Sequence, residues 1–104
     1  MAFRDIAEII KNNGGGSHAF EKAAQAANAA AAAEPQKAAG YFLLGWEAME
    51  FVNVFERMPV SQDAARAAQE RLADHAAALD AAGDAPEAVL EALNAMVATY
   101  LAPR

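Results

Sequence analysis

The stretch PQKAAGYFLLGWEAMEFVNVFERM, residues 35–58, decides the fold. Its apolar residues recur at helical spacing: Tyr41, Leu44, Ala48, Phe51, Val52 and Phe55 form a main arc, and Phe42, Trp46 and Met49 stand beyond it. Leu43, Val54 and Met58 occupy the far side, and only Glu47, Glu50, Asn53, Glu56 and Arg57 break the ring. A helix that is apolar on several faces must be covered on several sides, so this segment is expected at the centre of a helical assembly.

Upstream, residues 18–33 place Phe20, Ala23, Ala24, Ala27, Ala30 and Ala31 on one face and His18, Glu21, Lys22, Gln25 and Asn28 on the other, with Ser17 able to cap the start. Alanine buries little area, but it lets a neighbouring backbone come close. Pro35 removes an interior hydrogen bond and disfavours helical geometry at Glu34, so it ends this helix or kinks it. A hairpin and one long kinked helix both fit.

Downstream, Met58-Pro59 closes the central helix, and Ser61 followed by Asp63 opens another that runs to about residue 82, where Gly83 is a natural stop. Its apolar face is Ala65, Ala68, Leu72, Ala76 and Leu79. Asp84 and Glu87 have the spacing of a capping box for a last helix. In that helix Val89, Leu90, Leu93, Met96, Val97, Tyr100 and Leu101 are expected to form a wide buried stripe, with residues 102–104 frayed.

At the other end, residues 1–13 put Phe3, Ile6, Ala7 and Ile10 on one arc and Arg4, Asp5, Glu8, Lys11 and Asn12 opposite. A helix of about a dozen residues is marginal in water alone, so this one needs a surface to lie on. Between it and the rest runs Gly14-Gly15-Gly16-Ser17, the composition of a flexible tether. The expected organisation is therefore all-α: an antiparallel four-helix bundle over residues 18–104, with an additional short amphipathic helix, residues 1–13, on a glycine-rich linker, residues 14–17.

Composition narrows the function. The chain has 104 residues, no cysteine and a net charge of −6, so thiolate chemistry and disulfides are absent. Its eight basic residues are scattered, and no face can neutralise a row of phosphates, which speaks against nucleic acid and anionic membranes. Glu47, Glu50 and Glu56 interrupt the most apolar segment, so no membrane span is expected. With no secretory signal at its start the chain is expected in the cytoplasm.

Enzyme chemistry finds little support. His18 begins a helix on its polar face, and His75 lies at the border of an apolar arc, the common place for a boundary histidine. No Glu-x-x-His pair suggests a metal site, and the glycine run lacks the lysine and preceding strand of a phosphate loop. No cofactor and no small-molecule substrate are expected. The segment from His18 through Lys22 to Ala24 resembles the phosphoacceptor region of histidine phosphotransfer domains. It departs from that pattern because Lys22 follows the histidine by four residues instead of three, with Ala23 next in place of glycine.

The expectation for function is a docking or adaptor domain whose hydrophobic groove binds an amphipathic helix of a partner protein. Phe3, Ile6 and Ile10, at i, i+3 and i+7, have the spacing of peptide anchors, and Phe42, Trp46, Met49 and Phe51 are the groove candidates. A linker of this length spans at most about 17 Å and holds its peptide at an effective concentration of order millimolar, so the first helix reads as a tethered ligand fused to its receptor. Such a chain would be a monomer. The alternative is a structural homodimer in which a second copy covers the central helix; phosphotransfer through a histidine is a third reading.

Overall fold

The computed structural model describes residues 1–55 and 58–101. Among these the chain is all-helical, compatible with a helical bundle: α1 is Phe3–Asn12, α2 Ser17–Ala33, a 3-10 turn Pro35–Lys37, α3 Ala38–Phe55, α4 Gln62–Ala82 and α5 Pro86–Leu101. No helix among the described residues is long and apolar enough to cross a membrane. Glu56 and Arg57, which the sequence places in the central helix, lie outside the described residues, as do residues 102–104, where fraying was expected.

Pro35 breaks the helix instead of kinking it. The α2 ladder ends as the Glu34 N–H donates to the Ala30 carbonyl, and Pro35 then opens the 3-10 turn, where its missing N–H costs nothing. α3 folds back along α2, and these two make the most extensive contact of any pair. Phe20 stacks on Phe51 at 4.0 Å between centroids, while Ala24, Ala27 and Asn28 face Gly45, so the two helices run antiparallel. The alanine face of α2 makes this possible. A Cβ on Gly45 would stand 2.9 Å from the Asn28 side-chain oxygen, which shows how closely the backbones approach.

α1 lies mainly against α2 and α4, and Phe3, Ile6 and Ile10 are all buried. Its first turn lacks a capping side chain of its own at Ala2. Asp80, near the end of α4, supplies one: its carboxylate accepts from the Phe3 N–H at 3.0 Å and the Arg4 N–H at 2.9 Å. An acidic residue in the last turn of a helix opposes that helix's own dipole, but here it faces the positive end of another. Asp5 completes the turn by accepting from the Ala2 N–H.

The glycine run closes α1 as a tight turn. Gly14 and Gly15 have φ of 92° and 72°, and the Gly15 N–H donates to the Ile10 carbonyl at 3.0 Å, the long bond of a Schellman-type cap. The composition of a tether thus carries a defined helix stop. Two caps also fall one position from where the sequence put them: Gly16, and not Ser17, precedes α2, and Ala85, and not Asp84, precedes α5, its carbonyl accepting from the Val89 N–H. Ser61 caps α4 as expected, accepting from the Ala64 N–H.

The stripe expected on α5 is not buried. Met96 is enclosed, Val89, Leu93 and Tyr100 are half-buried, and Leu90, Val97 and Leu101 are exposed. α5 leans on α4 and touches α3 only lightly, so one side of it faces water.

Candidate functional site

α3 and α5 run in the same direction. Ala39 and Gly40, near the start of α3, face Leu90 and Leu93, and Trp46, midway along α3, meets Tyr100 near the end of α5. α5 leans on α4 and makes only light contact with α3, so an open seam remains between α3 and α5. Here the seam holds a depression of about 800 Å³ at its upper end and a groove of about 300 Å³ at its lower end. α5 is 16 residues long, so the seam extends over roughly 24 Å.

Carbon lines the lower groove. α3 contributes Phe42, Leu43 and Trp46, and α5 contributes Met96, Val97, Tyr100 and Leu101. Phe42 is 60 % exposed, Trp46 43 %, Val97 40 % and Leu90 58 %, which together leave on the order of 400 Å² of apolar surface open to water. Contiguous patches of that size on a single chain are commonly functional. The Trp46 and Tyr100 rings meet at right angles, 5.0 Å between centroids, and form a corner in the groove.

The two helices that flank the seam carry charge of one sign, while Lys37 lines the upper depression and Arg71 of α4 lies over the Tyr100 ring. Within Ala38–Phe55 and Pro86–Leu101 the ionisable side chains are Glu47, Glu50, Glu87 and Glu91, with no lysine or arginine. Glu47 is buried and borders the groove. Its Oε1 lies 2.7 Å from His75 Nδ1 on α4, whose Nε2 is 3.4 Å from the Thr99 hydroxyl on α5. Thr99 donates to the Ala95 carbonyl, so the three helices are stitched by one polar chain.

Glu47 Oε2 is buried with no hydrogen-bond partner within 3.5 Å among the described residues. Tyr100 is a donor toward that carboxylate: burial first, then the Glu47 charge and the hydrogen-bonding of the phenol toward Glu47, push its phenol above the ordinary tyrosine range. Arg71 lies 5.8 Å from the Tyr100 ring centroid and opposes that shift.

Of the residues singled out from sequence, Phe3, Ile6 and Ile10 are brought together in the core, but away from Trp46. The Phe3 ring packs on Tyr41 at 4.5 Å, with Lys37 over it and Gly40 beneath. α1 therefore does not lie in a groove built from Phe42, Trp46, Met49 and Phe51. Phe51 is consumed by stacking on Phe20, and Met49 is half-buried against the core. Phe42 and Trp46 face α5 and remain exposed. The reason is bulk: the groove that accepts α1 needs small walls, and α2 offers Ala19, Ala23 and Ala27 while α4 offers Ala76, all buried.

The Glu47–His75 pair escaped sequence reading because its members sit on different helices. The available signal was a carboxylate set among apolar residues on α3. His18, the histidine of the phosphotransfer resemblance, is exposed at the start of α2. Comparison of the chain with protein-family models, with curated proteins and with solved structures finds no match.

Proposed function

We propose that the chain is a docking domain that takes an amphipathic, basic helix of a partner protein along the α3–α5 seam. In this reading α1, α2, α3 and α4 close a four-helix ring, α5 leans on α4 and α3 from outside it, and the seam between α3 and α5 is left open for the partner. α1 is then part of the receptor, a view supported by its cap from Asp80 and by the hydrogen-bonded glycine turn.

The observation that carries the proposal is the exposure of Phe42, Trp46, Leu90 and Val97 along one seam, whose flanking helices α3 and α5 hold only carboxylates while Lys37 stands at its upper end. Length and shape suit a helix of about 16 residues, whose apolar anchors at i, i+3, i+4 and i+7 would fill the seam. Charge selects against a second copy, since pairing two seams would bring Glu50, Glu87 and Glu91 toward their own images. It favours a helix with lysine or arginine along its rim.

Trp46 is the sole tryptophan and borders the seam, so its emission reports occupancy. Titration with a synthetic leucine–lysine amphipathic helix of about 16 residues is expected to shift that emission to the blue and to saturate. Val97→Glu should weaken binding about tenfold or more, although general attraction of a cationic peptide to an acidic protein would make it bind more tightly. No shift, an unaffected Val97→Glu variant, or self-association of the chain that competes with the peptide would each overturn the proposal.

A further inference from the structure

We infer that α5 is a hinged strap: it swings away from α1–α4 about residues 83–85 and is latched at its far end by Thr99 and Tyr100 against His75 and Glu47. The inference does not depend on the docking reading, to which it adds a movable wall.

Three observations converge. First, α5 adds little to the core. Of its 16 residues Met96 alone is enclosed, so most of the buried side chains of α1–α4 keep their cover when α5 departs. Second, the hinge is free of packing. Gly83 ends α4 with φ of 59°, no atom beyond its own chain neighbours stands within 4 Å of the place a Cβ would take, and residues 83–87 are all exposed. A bend there breaks no tertiary contact of Gly83. Pro86 fixes the first turn of α5, which confines the bend to the residues before it.

Third, the far end of α5, roughly 24 Å from its start, is held by a few directional contacts. His75 on α4 stands between Glu47 Oε1 at 2.7 Å and the Thr99 hydroxyl at 3.4 Å. The Tyr100 ring meets Trp46 edge-on at 5.0 Å and has Arg71 5.8 Å from its centroid, while its phenol is directed toward Glu47. Glu47 and His75 join α3 to α4 without help from α5, so the catch stays assembled and only the Thr99 and Tyr100 contacts break on opening. Such contacts fail within a small displacement, so α5 opens as one unit instead of fraying from its end. Opening also admits water to the buried Glu47 carboxylate, which offsets part of the loss.

Amide hydrogen exchange on the full chain, followed residue by residue, tests the strap. Amides of residues 91–100 are expected to exchange at one common rate, at least about tenfold faster than the slowest amides of α2 and α3. In about 1 M urea that rate should hardly change, because strap opening exposes little surface, whereas the slowest amides of α2 and α3 should respond strongly. Tyr100→Ala should speed exchange in α5 about tenfold further and leave those slowest amides as they were. Thr99→Val, which removes the longer of the contacts, should act in the same place by about two- to threefold. Leu72→Ala, in the enclosed core of α4, should instead speed α2 and α3. Should Tyr100→Ala fail to fold, the rates and urea response of the unaltered chain decide. Equal protection and equal urea response in α5, α2 and α3, protection that declines steadily from residue 91 to residue 100, or a Tyr100→Ala effect shared by all helices would each overturn the strap.

Discussion

Asp80→Ala isolates the question of whether α1 belongs to the fold. The Asp80 carboxylate accepts from two N–H groups of the first turn of α1, from Phe3 at 3.0 Å in a partly buried setting and from Arg4 at 2.9 Å in an exposed one. Removal of a helix cap costs about 0.5–2 kcal/mol, and loss of a negative group at a helix N-terminus costs about 0.3–1 kcal/mol more. Against this, the substitution relieves α4 of a carboxylate at its own negative end, a gain of a few tenths of a kcal/mol. The net expectation is a loss of about 1–2 kcal/mol, or roughly 5–12 °C in melting temperature for a domain of this size. Asp80→Asn keeps one acceptor without the charge and should lose about half as much. Urea unfolding measures the global change, and amide exchange locates it, because α1 amides should gain exchange rate ahead of those in α2 and α3. An Asp80→Ala variant within about 0.3 kcal/mol of the parent chain, with α1 exchange unchanged, would refute the capping argument.

Other consequences follow from the packing. Gly40→Ala places a Cβ 2.7 Å from the Phe3 ring, with Leu79 also close, and should cost about 1–3 kcal/mol in urea unfolding. Ile6→Ala and Ile10→Ala should each cost about 2–5 kcal/mol because both side chains are fully enclosed. Phe42→Ser, at a site 60 % exposed, should leave stability within about 0.5 kcal/mol while weakening peptide binding. Both tyrosines are raised: Tyr41 is pushed up to about 12 by burial and then by Glu34, and Tyr100 lies higher still. Their folded values exceed the unfolded value of about 10, so the stability they contribute is complete below pH 10 and is lost as pH rises toward 12. Tyrosinate absorbance should accordingly appear together with loss of helical circular dichroism and not before it.

The helices themselves were legible. Within the expected span 35–58, Ala38–Phe55 is the helix that needs many neighbours, and the i, i+3, i+7 spacing of Phe3, Ile6 and Ile10 marks the buried side of α1. Which neighbour each face meets was not legible, because periodicity locates a face on its own helix and says nothing of the partner. The bulky residues of α3 suggested a groove for α1, whereas the close-packed alanines of α2 and α4 supply it. Gly14 and Gly15 looked like slack chain because composition does not reveal a positive φ. Asp80 as a cap for Phe3 and Arg4, and Glu47 against His75, are contacts across 77, 76 and 28 residues of sequence, beyond any local rule. On α5 the apolar stripe is present as a pattern of spacing. Periodicity does not decide its burial: an amphipathic helix usually finds cover within its own chain, and here Leu90 and Val97 do not.

The most direct test of the docking account is methyl nuclear magnetic resonance of the intact chain during titration with the leucine–lysine helix. The account requires shifts at Leu43, Met96, Val97 and Leu101, with Ile6 and Ile10 undisturbed. Shifts centred on Ile6 and Ile10, as α1 is displaced and the peptide takes its place between α2 and α4, would contradict it.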